Sequence, residues 1–511
     1  MSGGPSHRSS AARRYGGLGL LVAVFASPSV WVAAGLLVSG LALLAAPDAL
    51  RFAARRAGAR AAAEGAAESV TLGRDPGGRA VALSDRQLAA HALIVGASGA
   101  GKSTTMLSIL VAQIRRGRPV IAIDMKGSPA FAAELEQAAA DVGRGVRIFT
   151  PDGPGHWNPL AHGNATALKD KLIATERFSE PHYQRAAERY VQTVLTILHA
   201  RDPDTPARLD QVVALMEPRR LAVSLRGVPE PLAERVLDYL GGLTGDQVSA
   251  ARGLGTRLAL LSESCAGPYL SPGGPGTPAI DLRAGLEGGD VILFSLNASV
   301  YGKLAAQLGA LAIQDLVSAS GYRLAGTQAW RGLDTDRSHG PGADRSHGPG
   351  PEASRPPATV AIDEFSALGS DQVLALLARA RESNISVLTA TQEMADLQRA
   401  APGFRDQVLG IVGVKIAHRQ DVPESAEMIA KMAGTQWVWE ETQHVRGLLN
   451  PGNGPRASRR QVERFLVHPN EIKTLPVGHA VALTKLPTSQ VRRVRVVRGL
   501  GAPAREGPER G

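Results

Sequence analysis

The apolar and polar positions of the chain follow two different periods. Short runs that are almost wholly apolar predict strands buried on both faces of a sheet. These runs lie at 91–95, 119–124, 146–150, 290–296, 358–362 and 385–389. Elsewhere apolar residues recur every three or four positions, which predicts helices at 103–116, 303–318 and 371–382. Strands that alternate with helices in this way are typical of an α/β fold.

Residues 165–270 keep only the helical period. Their apolar side chains form stripes typical of helix faces that pack into a core. The stripes include Tyr183, Tyr190, Val194, Val213, Leu237, Leu254 and Leu258. We therefore expect an all-α domain inserted into an α/β domain, whose parts are 70–164, 271–323 and 358–498. Within the last part, valine and arginine alternate at 491–498, which predicts an edge strand with a basic face.

The N-terminal region carries a long uncharged stretch. Residues 1–15 are basic, whereas 16–46 contain no charged side chain and exceed the roughly 20 residues that span a bilayer. We therefore expect transmembrane segment(s) at 16–47. Pro28 favours either a hairpin of two short spans or one tilted span beginning there, and flanking arginines favour the hairpin, with both ends in the cytoplasm. The alternative is a cleaved signal peptide.

Three further stretches lack the pattern of a packed core. Residues 48–69 are expected to form a linker, and 499–511 are expected to be a disordered tail. Residues 324–357 contain a duplicated seven-residue segment and are expected to be a disordered insertion.

The overall composition describes the core and limits the chemistry of the chain. Aromatic residues are only 4% while hydrophobic residues are 44%, so we expect an aliphatic core. The single cysteine, Cys265, excludes a disulfide framework within one chain. The net charge of +10 permits an anionic partner without identifying it.

Residues 96–104 match the pattern G-x-x-x-x-G-K-[ST] of a phosphate-binding loop. A predicted strand precedes the loop and a predicted helix follows it, as the chemistry requires. Small residues let backbone N–H groups approach phosphate oxygens, and the helix N-terminus adds a favourable dipole. Lys102 is expected to reach the β- and γ-phosphates of ATP, and the Ser103 hydroxyl to bind Mg²⁺. The predicted nucleotide-binding residues are Gly96, Ala97, Ser98, Gly99, Ala100, Gly101, Lys102, Ser103 and Thr104.

Two adjacent acids, Asp363 and Glu364, follow the predicted strand at 358–362. Asp363 is placed to hold Mg²⁺ through water, so that the metal site comprises Ser103 and Asp363. Glu364 is placed to polarise the water that attacks the γ-phosphate. A plain nucleotide binder needs only the first acid, and the pair therefore predicts hydrolysis.

Other polar residues stand near the ends of neighbouring elements. Asp124 either faces a ligand crevice or is a solvated strand end. Gln392 follows a predicted strand and can present its amide to the γ-phosphate or to the attacking water. Arg379 and Arg381 lie on the predicted helix 371–382, where they form a solvated face or supply an arginine finger.

Taken in their order along the chain, these motifs make the sequence resemble the FtsK/HerA-related motor ATPases. It is most similar to the coupling proteins of type IV secretion and conjugation, the TraG/TraD group. The resemblance covers nearly the whole chain and rests on an ordered set of motifs, because many NTPases share the phosphate-binding loop alone. Besides that loop, the motifs lie at 124–127, 158–160, 361–365, 390–392 and 423–427.

The resemblance implies a RecA-like P-loop ATPase domain with an inserted all-α domain and an N-terminal transmembrane anchor. It implies a homo-hexamer at the cytoplasmic membrane that brings DNA, with relaxase or accessory proteins, to a type IV secretion channel. By the same resemblance Glu364, Gln392 and Arg381 are catalytic, with Arg381 acting on the neighbouring subunit. Two rival hypotheses stay open: a related motor that moves protein or chromosomal DNA, and a scaffold that binds ATP without hydrolysing it.

Overall fold

A computed structural model of the chain describes residues 68–325, except 177, 179, 275 and 278, together with 356–443 and 457–497. The predicted membrane segment(s) at 16–47, nearly all of the linker at 48–69, the tail at 499–511 and most of the insertion at 324–357 lie outside the described residues. No helix in the described ranges combines the length and the apolar character that crossing a membrane requires.

One large sheet and two small strand pairs organise the described chain. The strands are β1 (Ser69–Arg74), β2 (Ala80–Ser84), β3 (Ala92–Val95), β4 (Val120–Asp124), β5 (Val146–Phe149), β6 (His156–Trp157), β7 (Ala279–Ile280), β8 (Val291–Ser295), β9 (Ala358–Asp363), β10 (Ile385–Thr391), β11 (Val414–Ala417), β12 (Thr435–Gln443), β13 (Ala457–Phe465), β14 (His479–Thr484) and β15 (Gln490–Val496). The large sheet has the order β2-β1-β15-β14-β11-β3-β10-β9-β4-β8-β5. The expectation of an α/β fold is confirmed.

Helices connect most of these strands. They are α1 (Asp85–Leu88), α2 (Lys102–Arg115), α3 (Pro129–Ala140), α4 (Ala165–Ile173), α5 (Pro181–Arg201), α6 (Leu209–Leu215), α7 (Pro218–Val223), α8 (Glu230–Gly241), α9 (Gly245–Ser262), α10 (Leu282–Gly288), α11 (Ala298–Tyr301), α12 (Lys303–Ala325), α13 (Ser370–Ala380), α14 (Met394–Ala400), α15 (Phe404–Ile411), α16 (Pro423–Ala433) and α17 (Pro469–Lys473). Two short 3₁₀ turns lie at Gly267–Tyr269 and Phe365–Ala367.

The strands from β11 to β5 in the sheet order run parallel, whereas β14 and β15 join them in antiparallel fashion. Apolar residues fill both faces of the parallel strands, because helices cover both sides of such a sheet. Alternate residues of β3 enter different cores: Leu93 and Val95 join one hydrophobic cluster, while Ala92 and Ile94 join the other. This alternation explains why these strands read as continuous apolar runs.

The helices α4 to α9 lie between β6 and β7 in the chain and share the first of these two clusters. Most of their predicted stripe residues are buried, including Tyr190, Val194 and Leu258. Tyr183 and Leu237 are exceptions, with exposed fractions of 41% and 51%. The helical period therefore identified the helices, but it did not distinguish the edge of each buried face from its centre.

The sequence predicts an edge strand at 491–498, and this prediction is wrong. In the sheet β15 lies between β1 and β14, and it pairs with both. Its arginines Arg492, Arg493 and Arg495 are nevertheless exposed. Alternation of polar and apolar residues reports only that one face of a strand is solvated, and it carries no information about the number of its neighbours.

Candidate nucleotide site

The register of the parallel strands brings predicted site residues together at the carboxyl ends of these strands. Thr391 of β10 and Ala417 of β11 both align with Val95, the last residue of β3. Asp363 of β9 aligns with Asp124 of β4. The carboxyl ends of parallel strands meet where ligands bind in open α/β sheets. The phosphate-binding loop, the acid pair and Gln392 therefore belong to a single crevice.

The loop between β3 and α2 has a conformation that its glycines make possible. Gly99 and Gly101 have φ angles of 72° and 119°, a region that residues with side chains rarely adopt. The loop tip at Ser98 and Gly99 is exposed, whereas Gly96, Ala97 and Ala100 are buried. Helix α2 begins at Lys102, so its first N–H groups point towards the crevice. This is the geometry of an anion-binding helix terminus.

His418, which follows β11, supports the loop from behind. It is fully buried, its Nδ1–H donates to the His479 carbonyl at 2.9 Å, and its Nε2 accepts from the Thr105 hydroxyl at 2.8 Å. A Cβ atom added to Gly96 would lie 2.6 Å from the His418 Cβ, so only glycine fits there. Burial lowers the pKa of His418 to about 4. Sequence reasoning missed this residue because nothing in its local pattern links it to a loop more than 300 positions earlier.

Lys102 is buried in the loop that it closes. Its Nζ donates to the carbonyl oxygens of Gly96 at 2.6 Å and Ala97 at 3.2 Å. Burial lowers the pKa of this ammonium, and the nearby charge of Lys126 lowers it further. A lysine held by carbonyl dipoles beside exposed backbone N–H groups is suited to binding phosphate oxygens.

Asp363 and Glu364 stand opposite the start of α2. The Ser103 hydroxyl donates to Asp363 Oδ2 at 3.1 Å, which joins the two predicted metal-binding side chains. Asp363 Oδ1 is buried and has no hydrogen-bond partner within the protein. Glu364 adopts a left-handed conformation, with φ of 58° and ψ of 45°. Such a backbone is strained for a residue with a side chain, and strain of this kind concentrates at functional sites.

Lys126 is the site residue to which the sequence assigned no separate role. Its Nζ lies 3.0 Å from Asp363 Oδ2 and 3.0 Å from Glu364 Oε1, so one ammonium bridges both acids. Burial lowers the pKa of Lys126, but the two carboxylates outweigh it and the pKa is raised overall. The signal in the sequence was a lysine just after a buried strand. Its importance depended on β4 lying beside β9, which the sequence did not reveal.

Asp124 holds the turn that presents Lys126. Its carboxylate accepts the backbone N–H of Lys126 at 2.9 Å and that of Ser128 at 2.7 Å. Only 1% of Asp124 is exposed, which excludes the solvated strand end that the sequence left open. Burial raises the pKa of this carboxyl group, although the two backbone hydrogen bonds oppose the change.

Gln392 and Arg381 have different positions relative to the crevice. The Gln392 amide donates to Glu364 Oε1 at 3.2 Å, so it meets the predicted base directly. Arg381 is exposed at the end of α13, before β10 begins. Gln392 follows the last residue of β10, which spans Ile385–Thr391, whereas Arg381 precedes its first residue. Arg381 therefore lies near the amino ends of the strands, roughly 20 Å from Gln392. The structure does not bring Arg381 into the crevice of its own chain, and Arg379 is likewise exposed on α13.

Two family models match the sequence in the regions that build this crevice and the helices next to it. Residues 79–233 match the type IV secretion-system coupling protein DNA-binding domain, and residues 357–477 match the TraM recognition site of TraD and TraG. The chain belongs to the type IV secretion coupling proteins. None of the curated proteins matches this coupling protein.

Solved structures share the fold of this coupling protein at low sequence identity. The bacterial conjugative coupling protein TrwBdeltaN70 is 14% identical and has a TM-score of 0.58, with 83% of this chain and 88% of that chain covered. The plasmid coupling protein TrwB in complex with a non-hydrolysable ATP analogue is 15% identical, with a TM-score of 0.53 and coverages of 82% and 88%. TrwB in complex with ADP and Mg²⁺ gives the same identity, TM-score and coverages. The likeness shows that this coupling protein has the fold of a P-loop ATPase of the TrwB type.

Proposed function

We propose that this coupling protein is a motor that hydrolyses ATP and uses the energy to move DNA towards a type IV secretion channel. The observation that carries the proposal is the hydrogen bond from Gln392 Nε2 to Glu364 Oε1, 3.2 Å long. This contact lies at the carboxyl ends of the parallel strands, beside a phosphate-binding loop. A protein that only binds nucleotide needs the loop and one acid. A second acid with its own amide partner supports turnover.

Each side chain of the crevice has a chemical role in the proposal. The backbone N–H groups of the loop and Lys102 bind the phosphate oxygens of ATP. Glu364 accepts a proton from the water that attacks the γ-phosphate, and the Gln392 amide orients that water and the Glu364 carboxylate. Lys126, whose ammonium lies 3.0 Å from each acid, holds the two carboxylates close together despite their mutual repulsion.

The residues present fit a Mg²⁺ ion. Asp363 Oδ1 is a buried oxygen without a partner, and the Ser103 hydroxyl adjoins the other oxygen of the same carboxylate. Ser103 and Asp363 would therefore hold the ion, which would neutralise charge on the phosphates. Magnesium takes much of its coordination from water and phosphate in such sites. This agrees with the lack, in the described part of the chain, of any group of three His, Cys, Asp or Glu side chains suited to a metal.

The proposal is tested by measuring ATP hydrolysis of the full-length chain with and without DNA. We expect DNA to stimulate turnover, Lys102→Ala to abolish ATP binding, and Glu364→Gln to lower kcat about 10²- to 10⁴-fold while ATP still binds. Glu382→Gln, which removes an exposed acid from the turn after α13, is the matched control and should keep wild-type kcat. A wild-type chain that binds ATP but never turns it over would be a scaffold rather than a motor.

Arg381 enters the proposal as a residue that acts on the neighbouring subunit of a homo-hexamer. Arg381 is exposed and lies near the amino ends of the strands, away from the crevice of its own chain. This position supports a role between subunits rather than within one. Arg381→Ala and Glu364→Gln should each be inactive alone and regain activity when the two variants are mixed, because mixed rings contain intact interfaces. Arg379→Ala mixed with Glu364→Gln is the control. Failure of the first mixture to regain any turnover would contradict the action of Arg381 on the neighbouring subunit.

The remaining parts of the proposal concern location and partners. The uncharged stretch at 16–47 supports an anchor in the cytoplasmic membrane, with the ATPase domain in the cytoplasm. The match to the TraM recognition site of TraD and TraG supports recruitment of DNA together with relaxase or accessory proteins. Separation of membranes from soluble protein, with a 16–47 deletion as the comparison, tests the anchor.

A further inference from the structure

A shallow concavity among the inserted helices α4 to α9 is lined mainly by arginines. Arg201 comes from the end of α5, Arg219 and Arg220 from α7, and Arg226 from the turn after α7. Val223 and Ser224 complete the lining, and the volume is about 550 Å³. We call these four arginines, with their concavity, the arginine basin.

The positive charge of the arginine basin is not compensated within its own lining. All four arginines are exposed, and none forms an ion pair within the described residues. The lining contains no acidic side chain. A nearby acid, Glu217, is bound by Arg252 at 3.0 Å, and this pairing lowers the pKa of Glu217 more than Arg219 and Arg220 do. Four guanidinium groups around one hollow create a local field that attracts anions.

We propose that the arginine basin is a docking site for the phosphate backbone of the DNA substrate. This inference rests on the proposed function, since it names the surface that meets DNA outside the nucleotide crevice. The planar guanidinium fork binds phosphate oxygens in a bidentate manner, which a lysine cannot do. Contacts to phosphate oxygens carry no information about the bases, so we expect this contact to be independent of sequence.

An acidic protein segment is the other occupant with matching charge, and the lining favours DNA over it. Protein interfaces are anchored by buried Trp and Tyr as well as Arg, whereas no aromatic residue lines the basin and its one apolar residue, Val223, is 67% exposed. The basin also lies wholly within residues 79–233, the range that matches the coupling protein DNA-binding domain. Four exposed guanidinium groups around one hollow, with no acid among the lining residues, suit a phosphate chain.

The test measures binding of fluorescein-labelled 30-mer DNA, single- and double-stranded, to the full-length chain at several salt concentrations. Arg219→Gln/Arg220→Gln should weaken binding about tenfold at 0.15 M salt and reduce the slope of log affinity against log salt by roughly 1.4 to 1.8. The matched control is Arg185→Gln/Arg235→Gln, which removes two exposed charges elsewhere in the same helical region. It should change affinity less than twofold. Arg219→Lys/Arg220→Lys should retain the salt slope and lose only part of the affinity, and it confirms that the site still folds.

The outcomes separate this inference from the proposed function. Equal affinity and salt slope for the Gln variants and the wild-type chain would overturn the docking site while leaving DNA transport intact. A wild-type chain that binds no DNA would overturn both. Competition by a poly-glutamate peptide that outperforms DNA and depends on Arg219 and Arg220 would assign the basin to an acidic protein and overturn the DNA assignment.

Discussion

At the scale of single residues, the crevice depends on one ammonium group between two carboxylates. Lys126 Nζ lies 3.0 Å from both Asp363 Oδ2 and Glu364 Oε1, so one cation offsets the repulsion between the two carboxylates and holds them in place. Lys126 is therefore expected to position Glu364 without itself transferring a proton.

Replacing Lys126 with methionine should lower kcat about 10- to 100-fold. The reason is that Glu364 loses the cation that holds it beside Asp363, so the proposed base is no longer fixed in position. Lys126→Arg, which keeps the charge, should retain much of the activity. Lys431→Met is the control for an exposed lysine. Turnover of Lys126→Met at the wild-type rate would contradict this role.

Local sequence patterns identified some residues of the crevice and missed others. The loop residues and the acid pair were recognisable because their chemistry lies in adjacent positions. Lys126 and His418 were not, because the first acts through a neighbouring strand and the second through packing against Gly96. Contacts of this kind join positions far apart in the chain, and a local pattern cannot encode them.

At the scale of elements, a buried ion pair ties the inserted helices α4 to α9 to the helix α12. Lys171 of α4 donates to Asp315 of α12 at 2.8 Å, and the Trp157 indole of β6 donates to the other oxygen of that carboxylate at 3.1 Å. Lys171 and Asp315 are 3% and 9% exposed at their side chains. The loop that follows Trp157 joins this network, because the Lys171 ammonium also donates to the Pro159 carbonyl at 2.7 Å.

Asp315→Ala should lower the free energy of unfolding by about 3–5 kcal/mol, because it leaves the Lys171 charge buried without its partner. The double variant Asp315→Leu/Lys171→Met should recover most of that loss, since no buried charge remains. Urea unfolding measures both, with Glu427→Ala in the exposed Lys431–Glu427 pair as a control expected to cost less than about 0.5 kcal/mol. Equal losses for the single and double variants would show that the charge itself is unimportant.

At the scale of the whole molecule, two buried histidines link stability to pH. His91, just before β3, donates to the Leu377 carbonyl of α13 at 2.9 Å and accepts the N–H of Val387 in β10 at 3.1 Å. Burial lowers its pKa to about 4, and Arg381 contributes. His418 has a pKa lowered to about 4 by burial as well. Both rings are therefore neutral in the folded chain at pH 7.

Stability should fall as the pH drops from about 6.5 towards 4. In that window the unfolded chain takes up protons on both histidines while the folded chain does not, so unfolding becomes easier. Between pH 7 and pH 5 the loss is about 2 kcal/mol for each histidine. Urea unfolding at the two pH values, compared with His91→Gln and His418→Gln, tests this. If both variants lose as much stability as the wild-type chain, other groups are responsible for the acid sensitivity.

The sequence by itself determined the local chemistry and the class of fold. Residues 96–104 specify a phosphate-binding turn, the acids at 363 and 364 follow a buried strand, and the two hydrophobic periods predict an α/β fold. Each of these properties depends on neighbouring residues, so it is encoded in a short stretch of chain. The motifs in their order also indicated the coupling-protein family.

Only the tertiary structure decided which of these residues meet. It placed Ser103 against Asp363, 260 positions later in the chain, and Lys126 between Asp363 and Glu364. It left Arg381 near the amino ends of the strands, away from the crevice. It also gathered Arg201 and the arginines of α7 into one hollow. Strand order and helix packing arise from contacts between distant segments, whose energies depend on the whole core. The composition of any one segment does not fix them.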